Sequence, residues 1–137
     1  MSFEVYLQCF GETEQTGIPR SVVQSYFPIV EVESEINRWM VRYDDLNYCE
    51  IFVSAIPSDQ RFLGFISVWK PCADIWLWKA LVEILRTGSV FLYWSGSPPI
   101  LASDGVSGAF PKEIVDALGP PKSVSSAHDL LRLLHET

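Results

Sequence analysis

Residues 62–94 read FLGFISVWKPCADIWLWKALVEILRTGSVFLYW and contain the clearest secondary-structure signals of the chain. The stretch 61–69 is rich in aromatic and β-branched residues, which predicts a strand. The apolar stretch 73–86 predicts a helix that ends at Thr87-Gly88, because glycine is the usual residue of a left-handed helix cap. Val90–Trp94 is wholly apolar, as expected of a central strand. A strand, a helix and a strand in this order predict one βαβ crossover over 62–94 with a parallel pair of strands.

The predicted helix is apolar around almost its whole circumference. Its polar residues Lys79, Glu83 and Arg86 form one narrow stripe at helical spacing. A helix of this kind is either buried or part of an interface. Trp76 and Trp78 differ by about 200° around the helix axis, so both cannot face the same core. We therefore predict that one of the two lines a groove, a second layer or a subunit contact, and both Trp76 and Trp78 are candidate interface residues.

Strands and turns are predicted on the N-terminal side of this segment and helices on its C-terminal side. The stretch 3–10 has the composition of a strand, and 38–43 and 48–56 have the alternating pattern of a meander that continues into 61–69. Further along, 111–118 and the apolar stripe that starts at Ala127 predict two more helices.

The size and composition of the chain indicate one domain, residues 1–137. Its 137 residues match the usual length of a single domain, and its 48% hydrophobic residues are too many for a disordered chain. We predict a single α+β domain with about five mostly antiparallel strands and two to four helices.

Acidic residues are concentrated near the N-terminus. The formal charge is −7, and residues 1–50 hold nine acids against three bases, whereas residues 51–137 hold eight against seven. A nucleic-acid-binding module needs a basic face, so we expect no nucleic acid among the partners. An acidic patch instead speeds association with a basic protein.

Cysteine usage and hydropathy predict a cytoplasmic protein that does not enter a membrane. Cys9, Cys49 and Cys72 are odd in number and widely spaced, which argues against a disulfide framework. The N-terminus lacks the basic and apolar regions of a signal peptide. The longest apolar stretch, 75–85, contains Lys79 and Glu83 and is too short to span a bilayer.

The motifs of common catalytic and cofactor sites are absent from the sequence. It contains no phosphate-binding glycine loop, no dinucleotide fingerprint, no His-Glu-x-x-His and no Gly-x-Ser-x-Gly. The two histidines, His128 and His135, lie about 10.5 Å apart along a helix, too far to share a zinc ion. Cys72, before a helix, is the better placed of the thiols for nucleophilic chemistry, but a structural role is favoured for each. We therefore predict no catalytic residues, no metal and no cofactor.

One turn and the strands beside it form the predicted binding site. Adjacent aspartates at a hairpin tip favour binding over acid–base catalysis, because exposed acids have no reason for a raised pKa. Tryptophan and tyrosine are favoured anchors of protein interfaces. The predicted contacts are Trp39, Tyr43, Asp44, Asp45, Tyr48 and Glu50.

Short stretches scattered over most of the chain carry a resemblance. They are Val5–Phe10, Cys49–Val53, Leu92–Gly96 and Leu118–Pro120. In these stretches the chain resembles small uncharacterised bacterial proteins, some of which resemble immunity proteins that neutralise toxins by binding them. The resemblance implies a cytoplasmic, non-catalytic binding protein and assigns no functional residue.

Three hypotheses about function follow. The leading one is an acidic, non-catalytic module that binds a protein partner, of the kind that includes immunity-type inhibitors of toxins. The second is a small-molecule-binding protein or enzyme that uses the Ser-, Gly- and Pro-rich loop 95–108. The third is a structural homo-oligomer joined through Trp76 and Trp78.

Overall fold

A computed structural model describes residues 3–10, 17–87, 89–103 and 110–136 of the chain. These residues form one mixed β-sheet with α-helices on both of its faces. The strands are β1 (Glu4–Cys9), β2 (Ile18–Pro19), β3 (Ile29–Glu33), β4 (Arg38–Arg42), β5 (Tyr48–Ile56), β6 (Asp59–Trp69), β7 (Val90–Tyr93), β8 (Ile100–Ala102) and β9 (Lys122–Val124). The helices are α1 (Arg20–Ser25), α2 (Ile75–Arg86), α3 (Lys112–Leu118) and α4 (Ala127–Glu136), with a 3₁₀ turn at Ser34–Ile36.

The predicted number of strands is wrong. Within the described ranges the sheet has nine strands in the order β3-β4-β5-β6-β1-β7-β8-β9, and β2 pairs with β6. The class remains α+β, and the four α-helices lie within the predicted range. The strands missing from the count are two to five residues long. Strands this short cannot show a long alternation of apolar and polar residues. They form because they pair with a neighbouring strand, and their composition alone does not indicate them.

The predicted parallel pair is also wrong in detail. β6 and β7 both pair antiparallel with β1, which lies between them, so they run in the same direction without contacting each other. β1 can occupy this central position because Val5 and Leu7 are buried and its opposite face is aromatic and polar. In the described part of the sheet, parallel pairing is seen between β8 and β9.

Helix α2 covers one face of the sheet, which we call the inner face. Its N-terminus begins at Asp74, whose side chain accepts a hydrogen bond of 2.9 Å from the Trp76 backbone N–H. The helix is packed into the core through seven buried side chains, and α4 packs beside it. The core joins α2 to aliphatic residues of the inner face: Val5, Leu7, Ile51, Val53, Ile66, Val68, Val90 and Leu92.

Helix α3 lies on the opposite face, which we call the outer face. The crossovers that join parallel strands are right-handed. Because β8 runs opposite to β7, a right-handed β8–α3–β9 crossover lies across the sheet from α2. Phe110, just before α3, packs edge-on against Phe91 of β7 and Phe10, with ring centroids 5.5 and 4.9 Å apart. Among the described residues, Phe110 therefore covers the part of the outer face around Phe91, near the β7–β9 end of the sheet.

No helix in the described part of the chain is long and apolar enough to cross a membrane.

Candidate protein-binding surface

The strands in the middle of the sheet are apolar on both faces, but the two faces differ in chemistry. In β7, for example, Val90 and Leu92 point to the inner face, and Phe91 and Tyr93 point to the outer face. β6 repeats the pattern, with Ile66 and Val68 inside and aromatic side chains outside. The inner face is thus aliphatic and packs on helices. The outer face carries the aromatic residues Tyr6, Tyr48, Phe52, Phe65, Trp69, Phe91 and Tyr93.

We call these outer-face rings the aromatic layer; ring contacts join most of them into two groups, one around Tyr6 and one formed by Phe52 and Trp69. Tyr6 lies 5.1 Å from Tyr93 and 5.9 Å from Phe65 between ring centroids. Phe52 and Trp69 lie 5.1 Å apart on adjacent strands. Aromatic pairs at these distances stabilise one another beyond the area they bury. The layer therefore presents fixed rings rather than separate mobile side chains.

Two polar atoms of this layer have partners on the same face. The Trp69 indole N–H donates to the Ser67 hydroxyl at 3.2 Å, and the Tyr6 hydroxyl donates to the Glu4 carboxylate. The bond to Glu4 raises the pKa of Tyr6, so its hydroxyl stays protonated. Such bonds order the surface before any partner arrives, which lowers the entropic cost of binding.

Charged groups border the aromatic layer on the β3 side. Arg38 donates to Glu50 at 2.8 Å and also pairs with Glu33, so one guanidinium bridges β3, β4 and β5. The hydrogen bond to Glu50 raises the pKa of Arg38, which therefore remains charged. Beyond it, Glu31 and Glu35 are exposed beside the outermost described strand. The border thus holds four carboxylates, those of Glu31, Glu33, Glu35 and Glu50, against the paired Arg38 and the exposed Arg42, and is acidic overall.

The layer is open to solvent toward the β4–β6 end. Tyr48 is 53% exposed and Trp69 is 39% exposed, and both lie on the outer face. In register, Glu50 lies opposite Trp69, and the exposed Arg42 lies opposite Tyr48. An exposed, ordered patch with two large aromatic anchors has the composition of the centre of a protein interface.

The structure separates the predicted binding residues into two groups. Trp39 is 1% exposed and lies in the core, so its side chain cannot contact a partner. Tyr43 is packed against the core, and its buried hydroxyl has no hydrogen-bond partner. Tyr48 and Glu50 instead lie on the outer face with Arg38. The predicted site combined side chains from opposite faces of one sheet.

The two predicted aspartates lie in the turn between β4 and β5. The Asp44 carboxylate accepts hydrogen bonds of 2.8 Å from the backbone N–H groups of Leu46 and Asn47, and it also accepts from the Asn47 side chain. These bonds lower the pKa of Asp44, the Asn47 side chain having the largest effect. Asp44 therefore holds the turn, whereas Asp45 is exposed and free to meet a partner.

Trp76 and Trp78 have different surroundings. Trp78 is 2% exposed, and its indole N–H donates to the Cys72 carbonyl at 3.0 Å. Trp76 is 62% exposed. Trp78 is therefore a core residue and cannot be part of the predicted interface. Trp76 remains available for contact with another molecule.

The loop 95–108 lies partly outside the described residues, which stop at 103 and resume at 110. In its described part, the Ser97 hydroxyl is buried, accepts from the Trp94 backbone N–H at 2.8 Å and donates to the Pro98 carbonyl. Ser97 therefore fixes the turn after β7 and is not placed as a nucleophile.

The surroundings of the three cysteines make their thiols poorly reactive as nucleophiles. Burial raises the pKa of Cys9 to about 11 and that of Cys49 to about 12, and it also raises the pKa of Cys72. A thiol in this state is a poor nucleophile near neutral pH. Among the residues that the structure describes, no group of three or more His, Cys, Asp or Glu side chains could hold a metal ion.

The prediction missed most of the aromatic layer. The signal was present, because in strands 3–10, 48–56, 61–69 and 90–94 aliphatic residues on one face alternate with a mixture of aromatic and polar residues on the other. The missed residues are Tyr6, Phe52, Phe65, Trp69 and Tyr93.

No protein-family model, no curated protein and no solved structure matches this chain.

Proposed function

We propose that this protein is a non-catalytic module that binds a protein partner through the outer face of its sheet. The observation that carries the proposal is the ordered aromatic layer around Tyr48 and Trp69, on the face that α2 does not cover. Aromatic residues on a rigid sheet provide large contact areas at low entropic cost. The raised thiol pKa values agree with a binding role rather than with thiol chemistry.

The charge around this face favours a basic protein partner. Glu31, Glu35 and Asp45 are exposed, and Arg38 is already paired with two carboxylates. The same charge disfavours single-stranded nucleic acid, which also stacks on aromatic sheet faces but requires a positive groove. A basic protein gains both the aromatic contact and the electrostatic attraction.

The more specific form of the proposal is an immunity-type inhibitor of a toxin. It is supported by the resemblance in the stretches at Val5–Phe10 and Cys49–Val53, both of which form central strands of the sheet. It predicts that co-expression of this chain restores growth to cells that produce the toxin, and that Trp69→Ala weakens the rescue. Growth that stays arrested in the presence of the folded wild-type chain would reject this form and leave the general one standing.

A photoreactive residue on the outer face tests the binding surface directly. We expect a photoreactive residue at position 48 or 69 to cross-link one protein in extracts of the native cell, and the same residue at position 76 not to do so. The partner is then identified by mass spectrometry and purified. Tyr48→Ala and Trp69→Ala should each weaken its binding about tenfold to thirtyfold, as expected for truncated interface anchors.

Trp76→Ala is the matched control, since it truncates an exposed tryptophan on the helical side. We expect its affinity to equal that of the wild type in calorimetry or biosensor measurements. The proposal fails if Tyr48→Ala and Trp69→Ala bind as tightly as Trp76→Ala.

The acidic border should act on the rate of association. Reversing exposed charges with Glu31→Lys and Asp45→Lys should slow association with a basic partner about tenfold at low salt, while the dissociation rate changes little. Asp44 is left intact because its carboxylate holds the turn. Stopped-flow measurements from about 20 mM to about 500 mM salt, over which the Debye length falls from about 20 Å to about 4 Å, should show the difference vanish as screening increases. An equal rate for wild type and variant at low salt would contradict the charge argument.

A further inference from the structure

A cleft of about 550 Å³ opens on the helical side of the molecule, away from the proposed protein-binding surface. It lies between the end of α1, the exposed side of α2 and the beginning of α4. Its volume falls in the range of small-molecule sites, which are mostly apolar with a few placed polar groups. We call it the α2 cleft.

The apolar part of the α2 cleft is supplied by two aromatic side chains. Trp76 is 62% exposed, although almost all the other large apolar side chains of its helix are buried. Tyr26 approaches from the turn after α1. Two aromatic side chains in the lining of one cleft suit a flat apolar group, which would pack against both.

The charged part of the cleft is basic, unlike the chain as a whole. Lys79 Nζ lies 4.4 Å from the centroid of the Trp76 ring. Among the described residues, no carboxylate is placed to form an ion pair with Lys79. Glu83, the acidic residue of the lining, pairs with Arg86. One ammonium group thus stays without a counter-charge in a protein whose formal charge is −7.

The far wall of the cleft is held in place by hydrogen bonds. Arg86 donates to the Ser125 carbonyl at 2.7 Å, which ties α2 to the segment before α4. The Ser126 hydroxyl accepts from the Asp129 backbone N–H at 3.2 Å, and Asp129 in turn accepts from Ser125. The cleft is therefore formed before a ligand enters it, and the Ser126 hydroxyl proton remains available to an acceptor.

From this arrangement we infer that the α2 cleft is a binding site for a small aromatic carboxylate. The flat group packs on Trp76 and Tyr26, and the carboxylate accepts hydrogen bonds from Lys79 and from the Ser126 hydroxyl. A neutral ligand of the same shape keeps the ring contacts and loses the ionic one, so the site discriminates by charge. This activity is independent of protein binding through the outer face.

The test uses naphthalene-2-acetate and its neutral amide as matched probes. The full chain is titrated with each probe while the Trp76 indole N–H and the backbone amides of Ala127 and His128 are followed by NMR. We expect saturable shifts with the carboxylate and at least about fivefold weaker binding of the amide. Lys79→Ala should remove most of this preference, and Trp76→Ala should weaken both probes by about tenfold.

Lys112→Ala is the matched control, because Lys112 is an exposed lysine on α3, across the sheet from the cleft. It should bind both probes as the wild type does, and circular dichroism checks that each variant is folded. The inference is overturned by any of three results: no saturable shift of these signals, equal affinity for the carboxylate and the amide, or equal effects of Lys79→Ala and Lys112→Ala.

Discussion

Trp78→Ala is expected to lower the free energy of unfolding by about 4 kcal/mol, whereas Trp76→Ala should change it by less than about 1 kcal/mol. The two tryptophans are two positions apart on α2 and differ in exposure, 2% against 62%. Removing the Trp78 ring leaves a cavity among core side chains and leaves the Cys72 carbonyl without its 3.0 Å hydrogen bond. The Trp76 ring contacts mainly solvent and Lys79, so its removal loses few stabilising contacts.

Urea unfolding followed by far-UV circular dichroism measures both values. Trp78→Phe reduces the first loss and keeps the second, since it retains one aromatic ring in the core and lacks the N–H donor. We expect it to fall between the wild type and the alanine variant. Similar losses of stability for Trp76→Ala and Trp78→Ala would mean that α2 is rotated relative to the sheet described above.

The assignment of buried and exposed faces in β4 shows where sequence reasoning went wrong although the pattern was sufficient. The alternation correctly placed Trp39 and Val41 on one face and Arg38 and Arg42 on the other. The aromatic residues Trp39 and Tyr43 were nevertheless assigned to the binding site, because tryptophan and tyrosine are favoured interface anchors and the N-terminal part of the chain is acidic. Two arginines on a strand face are stronger evidence of solvent exposure than one tryptophan, since charged side chains are rarely buried without partners.

The outer face was harder to predict, for a physical reason. A strand that alternates aliphatic with aromatic residues is apolar on both faces. Its composition therefore predicts that other parts of the protein bury both of them. In β7 both faces are indeed buried, because Phe110 packs on Phe91. In β5 and β6 the equivalent aromatic positions, Tyr48 and Trp69, are exposed because α3 crosses further along the sheet. The difference depends on strand order, which local sequence does not contain.

Strand order itself depends on contacts between distant parts of the chain. The helix expected at 73–86 is present as Ile75–Arg86, because its cap at Asp74 and its apolar run are local features. The insertion of β1 between β6 and β7 pairs Leu7 with Ile66 on one side and Leu92 on the other. These pairings span more than fifty residues, and no property of residues 62–94 alone could indicate them.

Alkaline pH should destabilise the protein, since its buried thiols must remain protonated in the folded state. Cys49 is 2% exposed on the inner face of β5, and burial, with a smaller effect of the neighbouring Cys72, raises its pKa to about 12. Burial likewise raises the pKa of Cys9 to about 11 and raises that of Tyr43. A cysteine in an unfolded chain titrates near pH 8.5, so the unfolded state loses these protons first as the pH rises. The stability contributed by these groups is therefore complete below about pH 8.5 and is lost as the pH rises toward the folded-state values.

Between pH 8 and pH 11 we expect the free energy of unfolding to fall by about 6 kcal/mol, shared mainly and about equally between Cys49 and Cys9. Urea unfolding at both pH values, in the presence of a reductant, measures the fall. In Cys49→Ala the fall should shrink by about half, although the variant is less stable at pH 8 because it has lost a buried sulfur. Val53→Ala is the matched control: Val53 lies on the same strand and the same face, so its truncation also opens the core but removes no titrating group. Val53→Ala should therefore lose stability equally at both pH values and keep the full alkaline fall. If Cys49→Ala and Val53→Ala showed the same pH dependence, the loss at high pH would have to arise from groups outside this buried layer.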